Sequence, residues 1–140
     1  VVSRFAPVAD SEAVAYSFWK VISPLPKPES EYESIHLDPV DIQSIWQSSN
    51  YLNMVLQVMV KDKEHELSFI DNGITSNANG TQTLHLTLFH HRKDDVEGFM
   101  QKYYLSVPLW HYEGKLNKGD TIVFELYTYK EGMTQRTFTY

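Results

Sequence analysis

Strict alternation of apolar and polar side chains along residues 51–61 constrains this chain more than any other feature. The even positions Leu52, Met54, Leu56, Val58 and Val60 are all apolar, while the odd positions include Asn53, Gln57 and Lys61. Successive side chains of a strand point to opposite faces, so this pattern is a half-buried strand that needs a second apolar layer above it. The same period returns along the chain. Residues 65–70 place Leu67 and Phe69 inward, and residues 83–90 place Leu84, Leu86 and Leu88 on one face with His85 and Thr87 opposite. Residues 101–110 bury Leu105, Val107 and Leu109; residues 121–129 bury Ile122, Phe124 and Leu126. Residues 133–140 set Arg136, Phe138 and Tyr140 against Gln135, Thr137 and Thr139.

The separators are residues that favour turns: Asp71 to Gly73, Asn79-Gly80, Glu113-Gly114, Asn117 to Gly119 and Glu131-Gly132. The last lies between two strand-like runs, which predicts a closing hairpin of residues 121–129 and 133–140. Residues 39–46, with Val40, Ile42, Ile45 and Trp46, fit one helical turn or a short strand; the β-branched side chains favour a strand. Residues 94–100 read as a turn of helix or a loop. Five or six strands, each apolar on one side, predict an all-β fold: an antiparallel two-sheet sandwich, immunoglobulin-like, with a small barrel as the competitor.

Residues 1–22 carry two further strand-like runs, 2–6 and 13–22, which cannot bury a core by themselves. They must pack on the strands C-terminal to them or be the remnant of another domain. Pro24, Pro26 and Pro28 then crowd one short stretch. Proline removes a backbone donor, so residues 23–31 are expected to run extended outside any ladder and to mark the domain boundary. The expected division is residues 1–31, remnant plus linker, and residues 32–140, the sandwich.

Charge and composition narrow the function classes. The formal net charge is −6, and the 12 Lys and Arg are scattered, whereas a nucleic-acid binder gathers basic residues on one face. There is no cysteine, so disulfides, thiolate metal sites and a cysteine nucleophile are excluded together. No apolar run approaches the roughly 18 residues of a spanning helix. The start at Val1 reads as a processed or trimmed product, with any signal or lipid-bearing Cys lying upstream.

Catalytic signatures do not stand out. Neither a nucleophile elbow, nor a P-loop, nor a dinucleotide fingerprint occurs, and the pairs Asp94-Asp95 and Glu64/Glu66 read as solvated charge clusters. Adjacent His90 and His91 point to opposite strand faces and cannot chelate one ion together. A metal site would need His65 or His111 brought alongside, with a carboxylate such as Asp94. The expectation is no enzyme, no metal and no cofactor. The triplet Asp120 to Ile122 resembles a short bacterial O-glycosylation signal, and Asn79 to Thr81 is a formal sequon; both read first as turn chemistry. The most suggestive residues are aromatics on the faces away from the leucines, Tyr104 and Trp110 on one strand and Tyr127 and Tyr129 on another. Exposed, they would stack on a sugar or seat a protein partner; buried, they would cover a second layer.

Asp38 to Trp46, Asn50 to Gln57 and His65 to Phe69 together resemble the NigD-like proteins of Bacteroidetes. So do Leu84 to His91 and the ending from Ile122 to Tyr129 through Phe138 to Tyr140. The likeness covers residues 38–140 and consists of strand patterns, so no functional residue carries over. It implies a small N-terminal OB-type barrel ahead of a C-terminal β-sandwich, behind a lipoprotein signal. Residues 1–22 would then be the tail of that barrel. It also implies an extracytoplasmic, outer-membrane or cell-surface protein of unassigned role, membrane-bound only through an upstream lipid anchor. The missing barrel and lipid-bearing Cys depart from that pattern. The function expected is a non-catalytic module acting by protein contacts, in a bacteriocin-related accessory or immunity role; the alternative is a carbohydrate-binding module using Tyr104, Trp110, Tyr127 or Tyr129.

Overall fold

The computed structural model describes residues 21–48 and 50–140. The strand expected at residues 2–6, and that at 13–22 apart from its last two residues, lie outside the described residues. The described residues form nine strands: β1 (Val21–Ile22), β2 (Lys27–Pro28), β3 (Asp41–Ser48), β4 (Tyr51–Val60), β5 (Glu66–Ser76), β6 (Gln82–His91), β7 (Phe99–Pro108), β8 (Thr121–Thr128) and β9 (Gly132–Thr139). They build two sheets, one ordered β1-β7-β4-β3 and the other β2-β5-β6-β8-β9. The described residues contain no α-helix, only 3-10 turns at Glu29–Glu31 and Leu109–Tyr112. The fold is the expected two-sheet sandwich.

Period two explains the core. All five even residues of β4 lie in one buried cluster with Leu67, Phe69, Leu84, Leu86, Leu88, Leu105, Val107, Ile122, Phe124 and Leu126. Each strand thus turns one face into the space between the sheets. Residues 41–48 form a strand, as their β-branched side chains suggest, and residues 92–98 are a loop. The closing hairpin exists, with Thr121 opposite Thr139 and Thr128 opposite Gly132.

Four expectations differ from the structure. Both sheets are mixed, because β6 pairs with β8 and β1 with β7 in parallel, and alternation within a strand does not encode which strand lies beside it. The proline-rich stretch does enter a ladder: Lys27 and Pro28 pair in parallel with Ile70 and Asp71. They do so at the sheet's outer edge, where a residue without an N–H is tolerated. Residues 71–73 do not end a strand. They form a bulge inside β5, where Gly73 takes φ +99° and its N–H donates to Asp71 Oδ1 at 2.8 Å. Finally, β7 stops at Pro108, so Trp110 sits on a 3-10 turn and shares no strand face with Tyr104. The register of period two is lost at that turn, although Leu109 stays buried.

Candidate functional site

The two aromatic pairs expected on outward strand faces, Tyr104 with Trp110 and Tyr127 with Tyr129, are dispersed. Tyr104 lies on the outer face of the β1-β7-β4-β3 sheet, opposite Val21 in the ladder. Tyr127 lies on β8 in the other sheet and is exposed. Trp110 is exposed on its turn, where its ring makes an edge contact with His111. Tyr129, just past β8, instead joins the two sheets: its hydroxyl accepts the Met59 N–H at 2.9 Å. Burial raises its pKa.

Tyr104 belongs to a different group. In the β3–β4–β7 register, Trp46 stands opposite Asn53 and Asn53 opposite Ser106, so these side chains share the face away from the core. A groove of about 460 Å³ opens there, lined by Val21, Trp46, Tyr51, Met54 and Tyr104 with polar Ser23, Asn53 and Ser106. Trp46 is 48% exposed and Tyr51 38%. Ser106 Oγ donates to Asn53 Oδ1 at 2.8 Å, and Ser23 Oγ donates to the Ser106 carbonyl at 2.7 Å, so the polar floor is hydrogen-bonded. The sequence presents Trp46 only as a strand former. Its outward phase becomes visible once Ile45 is known to pack on the core.

At one end of the sandwich lies a buried polar chain. His65 Nε2 is 2.9 Å from Asp95 Oδ2, His65 Nδ1 is 2.9 Å from His90 Nε2, and His90 Nδ1 is 3.0 Å from the Asp38 carbonyl. The carboxylate also accepts the Lys61 N–H at 2.8 Å and the Asp62 N–H at 3.1 Å. Burial by itself would raise the Asp95 pKa, but these donors and the His65 ring hold it far below the usual carboxylate range. Burial lowers the His90 pKa despite its bond to Asp38. A neutral imidazole carries one N–H, so His90 alone cannot donate to both of its neighbours, His65 and the Asp38 carbonyl. The chain ties the β4–β5 loop to the β6–β7 loop, and His65 also lines a pocket of about 400 Å³ together with Lys63, Glu64, Gln101 and Tyr103. His65 and the carboxylate therefore do come together, but with Asp95 where the sequence suggested Asp94.

On the outer face of the second sheet, Tyr32 stacks on Phe89 with centroids 4.6 Å apart, and its hydroxyl donates to the Phe69 carbonyl at 2.6 Å. Next to them, His36, Asp38 and His91 bring ligand atoms within 4.8 Å of one another. Their separation in sequence kept this group out of sight. His111, the other histidine weighed for metal binding, packs edge-on against Trp110 and Tyr112 instead.

Known proteins supply the remaining information. The NigD-like C-terminal beta sandwich domain matches residues 23–140. A NigD-like immunity protein from Bacteroides caccae is 32% identical with a TM-score of 0.71, over 86% of this chain and 64% of its own. A protein of unknown function from Bacteroides vulgatus is 20% identical with a TM-score of 0.65, over 87% of this chain and 57% of its own; that likeness concerns the fold. The chain thus spans less than two thirds of these solved relatives. No curated protein matches it. With a domain match running from the proline-rich stretch to the last residue, this chain belongs to the NigD-like family, of which it contains the C-terminal β-sandwich.

Proposed function

We propose that this chain is a non-catalytic binding module of the bacterial envelope that engages a protein partner through the outer face of the β1-β7-β4-β3 sheet. The observation that carries this reading is the half-exposed Trp46, flanked by Val21, Tyr51 and Tyr104 in one groove. Tryptophan and tyrosine seated beside a hydrogen-bonded polar floor are the side chains on which binding energy concentrates at protein interfaces. A solved relative is described as an immunity protein, and on that ground the partner proposed is a protein of toxin type. An extracytoplasmic location behind an upstream lipid anchor is part of the proposal, and fractionation of cells carrying the full-length protein checks it.

Site-specific photo-crosslinking in cells tests the partner. A benzophenone side chain at position 46 is expected to give a discrete protein adduct, and the same group at Tyr127, on the other sheet, is expected to give none. Equal labelling at both positions, or none at 46, rejects the reading. The polar groups beside the indole (Ser23, Asn53, Ser106) favour one alternative, a glycan stacked on Trp46. Titration of tryptophan fluorescence with a glycan panel separates the two, because a saturable shift abolished by Trp46→Ala supports sugar.

A further inference from the structure

We propose that His36, Asp38 and His91 form a binding site for a borderline divalent transition cation such as Zn²⁺, on the face of the molecule opposite the Trp46 groove. The backbone builds the group. The His90 N–H donates to the His36 carbonyl and the Asp38 N–H donates to the His90 carbonyl, both at 3.0 Å, which sets Leu37 beside His90 as a parallel bridge. Leu37 and His90 then share one face, and by alternation His36, Asp38 and His91 share the other. His90 is buried, while the three candidate ligands are each half-buried, so an ion from solvent can reach them.

The three side chains are gathered, but the two rings are stacked and must swing out of the stack for their lone pairs to converge on one ion. The two imidazole rings lie parallel with centroids 3.7 Å apart, and all three ligand atoms fall within 4.8 Å of one another. Tetrahedral zinc with bonds of about 2.0–2.2 Å needs ligand atoms about 3.3–3.6 Å apart, so the ligand atoms must close by the order of an ångström while the two rings rotate out of their parallel stack. Two imidazoles and one carboxylate select Zn²⁺, Ni²⁺ or Cu²⁺ over Mg²⁺ and Ca²⁺, which prefer an all-oxygen shell. Three protein ligands leave a fourth position for water or a group from another molecule.

The surroundings orient the ligands. Ser34 Oγ lies 2.9 Å from His36 Nε2, which leaves Nδ1 for the ion with its ring partner already in place. Asp38 Oδ2 accepts the Arg92 N–H at 2.9 Å, which leaves Oδ1. His91 Nδ1 accepts the Lys93 N–H at 3.2 Å. Ligation at His91 Nε2 moves the ring proton to Nδ1 and gives up that long contact, the one loss the site entails. Glu66 stands opposite His91 in the β5–β6 ladder, and Glu31 and Glu33 line the same shallow pocket, against the cation of Lys27. This excess of carboxylates draws a cation toward the rings.

Calorimetry of the chelator-treated full chain with ZnCl₂ tests the proposal, alongside histidine ¹⁵N spectra. One ion per chain is expected, with the ring signals of His36 and His91 shifting and those of His65 and His85 unmoved. His36→Ala and His91→Ala should each weaken binding at least tenfold, the scale on which loss of a ligand or its support acts. His85→Ala should change nothing. Absence of binding, or ring shifts confined to other histidines, overturns the proposal. The spectra of the unaltered protein decide even where a variant fails to fold.

Discussion

Replacing His90 with leucine measures how much the buried polar chain contributes, and by what mechanism. The ring meets two acceptors, His65 Nδ1 at 2.9 Å and the Asp38 carbonyl at 3.0 Å. A neutral imidazole has one N–H, so it satisfies only one of them at a time. Leucine therefore strands one acceptor that had been paired, which costs about 1–3 kcal/mol. The added apolar burial returns part of this, on the scale of about 0.8 kcal/mol per methylene. The net expectation at pH 7.5 is a loss of about 1–2 kcal/mol. With a urea slope of about 2 kcal/mol/M, the unfolding midpoint should fall by about 0.5–1 M.

The pH dependence carries the sharper test. Burial places the His90 pKa below its ordinary value of 6.5 in the folded protein, so the unfolded chain takes up a proton first as pH falls. The unaltered protein accordingly loses stability below pH 6.5 until the folded ring titrates as well, and leucine has no such loss. The gap between the two midpoints, read by tryptophan fluorescence in urea, should narrow from pH 7.5 to pH 5.5. A gap that stays constant or widens refutes the reasoning, as does a variant more stable than its parent at pH 7.5.

Two further outcomes are expected. Leu56→Ala, at a fully buried position, should cost about 3 kcal/mol, whereas Gln57→Ala on the outward side of the same strand should stay within about 0.5 kcal/mol; similar urea midpoints for the pair would contradict the assignment of faces. Asp95 has a folded pKa below its ordinary 3.8, so its contribution is complete above that pH and disappears as pH falls below it; Asp95→Asn should flatten the acid limb of a midpoint-versus-pH curve, and an unchanged limb would show that other carboxylates govern it.

The sandwich was legible because its information is local. The core face of β4 can be read from five residues and that of β6 from three, and packing confirms each of them. Pairing partners were not legible, since β8 could lie beside β6 or β7 with the same alternation. The ladder at Lys27 and Pro28 is not legible because a missing proline donor bars only interior positions, and nothing local shows that this segment sits on an edge. The place of Trp110 is not legible because the period of two ends at Pro108, where the chain tightens into a 3-10 turn. Sites fared worse than strands for the same reason. His36 and His91 meet only through the parallel bridge at Leu37, and Trp46 faces Tyr104 only because β4 lies between their strands. Tyr104 alone among the expected aromatics entered the groove that the structure presents.

The parallel pairing of β6 with β8 has a consequence for how the molecule is made. Thr83 meets Thr121 only after β7 has crossed to the other sheet, so no short hairpin can close that seam. Contacts of such long sequence separation slow folding. In a chain emerging from its N-terminus, the β3–β4 and β5–β6 hairpins are complete before β8 is made, and β6 is left as a bare edge. Until residue 121 arrives, that edge is a template for any other extended strand nearby.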